Sequence, residues 1–128
     1  MPHIHLDYSA NLESHVDMAA LCNHLRVVAA TIDTFPMAGL RVRAVAATHV
    51  SMADGNPEFG YIDISVRLRA GRDMATRKAA TAALFEAAER FLAPVMAERP
   101  LALSFEMRDI DPELSPKIGN IRDYMTKD

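Results

Sequence analysis

The chain has 128 residues, half of them hydrophobic and 24% charged, with a net charge of −3. That is the size and balance of one globular domain with a single core, and it excludes a disordered chain. The acidic balance, with no basic stripe or tail, argues against nucleic acid as a partner.

The elements follow in order. Residues 3–8, HIHLDY, alternate, with Ile4, Leu6 and Tyr8 on one side and His3, His5 and Asp7 on the other, the period of a strand. Pro2 stands at its head, where a proline wastes no N–H. Ser14 with Asp17 reads as a capping box, and Met18, Leu21, Cys22, Leu25, Val28, Ala29 and Ile32 recur behind it at helical spacing. Phe35-Pro36 and Gly39 end that helix. A second strand is expected over 40–50, with Leu40, Val42 and Ala44 facing away from Arg41, Arg43 and Val45. Asp54-Gly55-Asn56-Pro57, within 51–58, is the sharpest turn signal. A third strand covers 59–69, with Ile62, Ile64, Val66 and Leu68 on one face. Gly71 stops it, Asp73 caps a helix over 74–98, and Pro94 is expected to kink or end its last turns. Its buried stripe is Thr81, Leu84, Phe85, Ala88, Phe91, Leu92 and Val95. LALSFEM, 101–107, is the fourth strand, and a tail, 109–128, completes the chain.

This order places two consecutive βαβ units, 1–50 and 59–108, in a single domain spanning 1–128. The fold class is α+β: a four-stranded mixed sheet with two helices on one face. Only the tail is left to cover the other face. Because the strands are rich in apolar residues, that face is expected to be apolar and buried in an oligomer, with the tail packed on an adjacent subunit. No apolar run is long enough to span a bilayer and no signal peptide opens the chain, so a cytoplasmic address is expected and membrane is not a partner.

Cys22 is the single cysteine and reads as a small buried hydrophobe, with no disulfide or thiolate cluster available. The common dinucleotide, phosphate-loop, zinc-protease and nucleophile-elbow motifs are absent, and no cofactor or metal is expected. His3, His5 and Asp7 on one strand face are candidate metal ligands, the i, i+2 His pair being suggestive without a firm third ligand. Eleven of the 14 basic residues are Arg, leaving Lys78, Lys117 and Lys127, and Arg is the side chain suited to forked recognition of carboxylates. Arg72 sits on the Gly71 turn beside a helix N-terminus, where an anion is favoured. Arg41 opens the second strand and Arg43 shares its face. If Met1 is removed, Pro2 presents a secondary amine on a rigid ring, a candidate acid–base group; with Met1 kept it is a strand-start proline.

The segments MPHI at the start, FPMAGLRVR at 35–43, SMADG at 51–55, AGRDMATR at 70–77 and LALSFEM at 101–107 together resemble the tautomerase superfamily, with its macrophage migration inhibitory factor-like fold. Within it they are most similar to the 5-carboxymethyl-2-hydroxymuconate isomerase family, over nearly the whole chain. The second half also resembles the shorter 4-oxalocrotonate tautomerase subunits, in which a Gly-Arg turn supplies a substrate-binding arginine; Gly71-Arg72 fits that pattern. The resemblance implies a homotrimer and an isomerase of aromatic (homoprotocatechuate) catabolism acting on a small polycarboxylate. It implies Pro2 as catalytic base and acid, with Arg41 and Arg72, helped by Arg43, binding substrate. Only the first unit carries the proline, so one active site per subunit follows. Another superfamily reaction on a small unsaturated carboxylate, or a non-catalytic trimeric binding protein of this fold, are the alternative readings.

Overall fold

Two βαβ units build one sheet in the computed structural model, which describes residues 2–126. The strands are β1 (His3–Ser9), β2 (Arg41–Ala47), β3 (Gly60–Arg69) and β4 (Leu101–Ile110). The helices are α1 (Met18–Ala30) and α2 (Met74–Met96), and short 3-10 turns lie at Ala10–Leu12, Met37–Gly39 and Ile121–Tyr124. The strand order is β2-β1-β3-β4. Each unit pairs its own strands in parallel, and the two units join through an antiparallel β1–β3 pair. The sheet is therefore mixed, as the element order required.

One face of the sheet carries the core. Ile4, Leu6 and Tyr8 of β1 and Ile62, Ile64, Val66 and Leu68 of β3 are buried against Leu21 and Leu25 of α1 and Leu84 and Leu92 of α2. Burying each such side chain contributes about 1.5–3 kcal/mol. β2 and β4 lie at the sheet edges, and their inward residues are only half-buried. Gly60 enters β3 where the chain passes close to Leu12; a Cβ there would lie 2.9 Å from Leu12 Cδ2.

Several boundaries differ from the sequence reading, each for a local reason. Asp17 itself caps α1, its Oδ1 accepting the Ala20 N–H at 3.0 Å, so Ser14 lies outside the helix. Both residues are good caps by type, and the 3-10 turn at Ala10–Leu12 delays the helix. Asp73 caps α2 as expected, accepting the Thr76 N–H at 2.8 Å. Pro94 does not end α2, which runs on to Met96. So close to the C-terminus the missing N–H removes one bond of the last turn and leaves the rest intact. β4 extends three residues past LALSFEM because Arg69 still pairs with Ile110, whose side chain is buried.

The face away from the helices corrects the apolar expectation. It carries His3, His5 and Asp7 of β1, Arg41 and Arg43 of β2, and Asp63, Ser65 and Arg67 of β3. Strict alternation put nearly all large apolar side chains of the sheet on the helix side, which a count of apolar residues does not reveal. Towards the C-terminal end of β1 the polar groups satisfy one another: Tyr61 donates to Asp7 Oδ1 at 2.7 Å, and Ser104 donates to Asp63 Oδ1 at 2.7 Å. Of the ten exposed large apolar residues among the described ones, Val45 of β2 lies on the open face and four lie in the tail, at Leu114, Ile118, Ile121 and Tyr124. Its turn at Ile121–Tyr124 lies near Met37–Gly39 of the same chain.

Candidate active site

β1 and β2 begin at one end of the sheet, and β3 finishes there. That topology puts Pro2, Arg41 and Arg43 at this end, and Arg72 on the turn that follows β3 there. Pro2 heads β1 with its ring fully buried, and its carbonyl accepts the Arg41 N–H at 3.2 Å. His3 lies in register between Arg41 of β2 and Arg67 of β3, and His5 lies beside Arg43. The Pro2 nitrogen is an amine only without Met1, a residue outside the described ones.

Arg72 reaches this end from the turn after β3. Gly71 has φ +120°, a conformation in which an L side chain is strained, so glycine is what lets the chain turn there. The Arg72 guanidinium then donates to the Thr34 carbonyl from Nε at 3.1 Å and Nη2 at 2.6 Å, and to the Arg69 carbonyl from Nη1 at 2.9 Å. Arg72 thus clamps the end of β3 to the loop that leads into Arg41. Two of a guanidinium's five N–H groups remain for a ligand.

Of the eleven arginines, four, Arg77, Arg90, Arg99 and Arg108, pair with carboxylates and seven do not among the described residues, Arg41, Arg43 and Arg67 at this end being three of those seven. Arg67 Nη2 lies 3.1 Å from His3 Nδ1. A guanidinium is always a donor, so Nδ1 accepts and the His3 proton sits on Nε2. Burial, then the charges of Arg41, Arg67 and Arg43, lower the His3 pKa from 6.5 to about 4, leaving a neutral ring at neutral pH. Its Nε2 is buried without a partner among the described residues, as is that of His5.

The arrangement has a definite chemical capacity. An imino nitrogen near guanidiniums loses its proton more easily than a free amine, because burial and like charge both oppose the cation. Unpaired arginines take carboxylates in a fork. His3 and Arg67 escaped the sequence reading: period-two alternation places both on the open face, but only the β1–β3 register brings them together. No group of three or more His, Cys, Asp or Glu gathers among the described residues, so the His3–His5 pair gains no third ligand of that kind. A cavity of about 250 Å3, lined by Ser9, Asn11, Thr48, Met52, Asn56 and Phe59 among others, lies at the far end of β1 and β2 and is separate from this corner. No described helix is long and apolar enough to cross a membrane.

A duplicated βαβ chain with a proline heading its first strand and arginines beside it has the tautomerase fold. A fused 4-OT symmetric trimer shares that fold at 17% identity, with a TM-score of 0.63 over 88% of this chain and 91% of that one. Within the fold, this chain belongs to the 5-carboxymethyl-2-hydroxymuconate isomerase family, whose model matches residues 2–125. The 5-carboxymethyl-2-hydroxymuconate Delta-isomerase of Escherichia coli is 32% identical over 121 residues, 94% of this chain and 96% of that protein. A crystal structure of a 5-carboxymethyl-2-hydroxymuconate delta-isomerase has a TM-score of 0.91 at 30% identity, covering 100% of this chain and 95% of that one. The 5-carboxymethyl-2-hydroxymuconate isomerase of Deinococcus radiodurans R1 gives 0.88 at 30% identity, covering 98% and 95%.

Proposed function

We propose that this chain is a homotrimeric, cytoplasmic isomerase that converts 5-carboxymethyl-2-hydroxymuconate to its conjugated oxo isomer in aromatic (homoprotocatechuate) catabolism. The substrate is a dienol carrying three carboxylates. The observation that carries the reading is the placement of Pro2 beside the head of β2, its carbonyl accepting the Arg41 N–H, at the end of the sheet that also carries Arg43. Membership of a family whose Escherichia coli member bears this activity in its name supports it.

Once Met1 is gone, the neutral Pro2 nitrogen takes the enol O–H proton. The electron pair left on oxygen becomes the carbonyl, the double bonds shift along the chain, and a distant carbon takes the proton back from the Pro2 ammonium. The proton count is unchanged, and no oxidant or cofactor enters. A catalyst that both accepts and returns a proton works best with a pKa near the working pH. A chain α-amine titrates at about 8, and burial opposes its protonated form. Arg41 and Arg72 hold carboxylates, and Arg43 assists; their charge stabilises electron density as it moves towards the carbonyl end. The fused 4-OT neighbour being a trimer supports the homotrimer, and the exposed Leu114 and Ile118 suit a tail packed on an adjacent subunit.

The intact mass of the purified protein, taken beside an ultraviolet assay of dienol conversion, tests the reading. A mass lacking one methionine together with conversion supports it. Met1 retained and no conversion leaves the non-catalytic binding reading instead.

A further inference from the structure

The open face of the sheet is segregated by charge. At the far end, Asp7 and Asp63 already accept from Tyr61 and Ser104. At the Pro2 end Arg41, His3 and Arg67 stand in one row across three strands, with Arg43, His5 and Ser65 in the next and Glu106 of β4 beyond Ser65. None of these three arginines has a carboxylate partner among the described residues, although four other arginines of the chain do. All three are exposed, so a ligand can reach them.

His3 makes the row ordered. It accepts from Arg67 Nη2 at 3.1 Å and so holds that guanidinium against the sheet. An imidazolium could not accept there, and the low His3 pKa keeps the ring neutral. The His3 Nε2–H is left buried without an acceptor among the described residues, a destabilising state that marks a place where an acceptor is missing. Three unpaired forks around a neutral ring call for one planar anion, a carboxylate.

We propose that Arg67, positioned by His3, is a further substrate-binding arginine, and that the corner it makes with Arg41 and Arg43 seats one carboxylate besides the one held at Arg72. The inference rests on the isomerase reading above and deepens it: it adds Arg67 to the carboxylate seat that reading gives to Arg41 and Arg43, beside the second seat at Arg72. Arg67 touches the ligand, whereas His3 acts through Arg67.

The test compares the tricarboxylate dienol with 2-hydroxymuconate, the dicarboxylate that lacks the carboxymethyl group. Arg67→Gln should raise KM about tenfold or more on both dienols, the worth of one charge-assisted contact, because two seats serve either substrate, and kcat should fall less than KM rises. His3→Phe should act in the same direction, and the double variant should be no worse than Arg67→Gln alone, because the two act as one unit. An unchanged KM on the tricarboxylate, or a loss confined to kcat, overturns the seat. Should Arg67→Gln not fold, Arg67→Lys is read the same way, since it keeps the charge and lacks the fork. If the wild type converts neither dienol, the isomerase reading has failed, and calorimetry with propane-1,2,3-tricarboxylate then decides the seat alone. Binding weakened about tenfold by Arg67→Gln supports it, and equal binding or none by the wild type overturns it.

Discussion

Replacing Arg72 by alanine separates two roles that a substrate-binding arginine can have. Its guanidinium donates three hydrogen bonds to two backbone carbonyls, those of Thr34 and Arg69. Hydrogen bonds from a charged donor contribute about 1.5–3 kcal/mol each. Two of the three share one acceptor, and the side chain is half-buried, so water replaces part of what is lost. Counting the two carbonyls at the low end of that range gives a loss of about 2–3 kcal/mol for Arg72→Ala. At ~2.1 cal/mol/K of unfolding entropy per residue over 128 residues, that lowers Tm by about 7–11 °C. Thermal unfolding followed by circular dichroism, without ligand and at one protein concentration, is the assay, since an oligomer's Tm depends on concentration. Because the clamped loop delivers Arg41, KM should rise in the same variant. A Tm equal to that of the wild type would refute the clamp and leave Arg72 as a ligand-binding group alone.

Two further outcomes follow from the packing and the charges. Leu6 has no exposed surface, and Leu6→Ala should lower stability by about 2–5 kcal/mol, read from the urea midpoint at constant slope; a loss well under that range would mean that the two helices close over the gap. His3 has a folded pKa of about 4, below the unfolded value of 6.5, so the unfolded chain binds the proton first as pH falls. Its contribution is therefore complete above pH 6.5 and is lost on acidification towards pH 4. His3→Gln cannot titrate and should lose less stability than the wild type between pH 7 and 4.5; parallel acid curves for the two would contradict this.

Much of the fold was legible because the sequence repeats one physical pattern twice. The alternation of Ile4, Leu6 and Tyr8 and of Ile62, Ile64, Val66 and Leu68 marks two buried strands, and each is followed by a helical stripe and another strand. Asp73 could be read as a cap because a short acceptor side chain precedes a clear helical run. Pro2, Arg41, Arg43 and Arg72 could be singled out because each stands at the start of an element or on a glycine turn, where local sequence fixes position. What escaped depended on pairing. The link between His3 and Arg67 exists only in the antiparallel register of β1 with β3, 64 residues apart in the chain. The Arg72 clamp ends on a backbone carbonyl, an acceptor that every residue carries and that leaves no trace in a sequence. The polar open face was misjudged by weighing composition, although Arg41 and Arg43 already alternate with Val42 and Ala44.

The role of Pro2 is the centre of the functional account, and the dienol-to-oxo conversion rate of Pro2→Ala, set beside that of a wild type whose mass confirms loss of Met1, tests it most directly. The account predicts that the variant keeps its oligomeric state and loses about 10²–10⁴ in kcat, the range supplied by a positioned acid–base group. A variant that converts the dienol at the wild-type rate would contradict it.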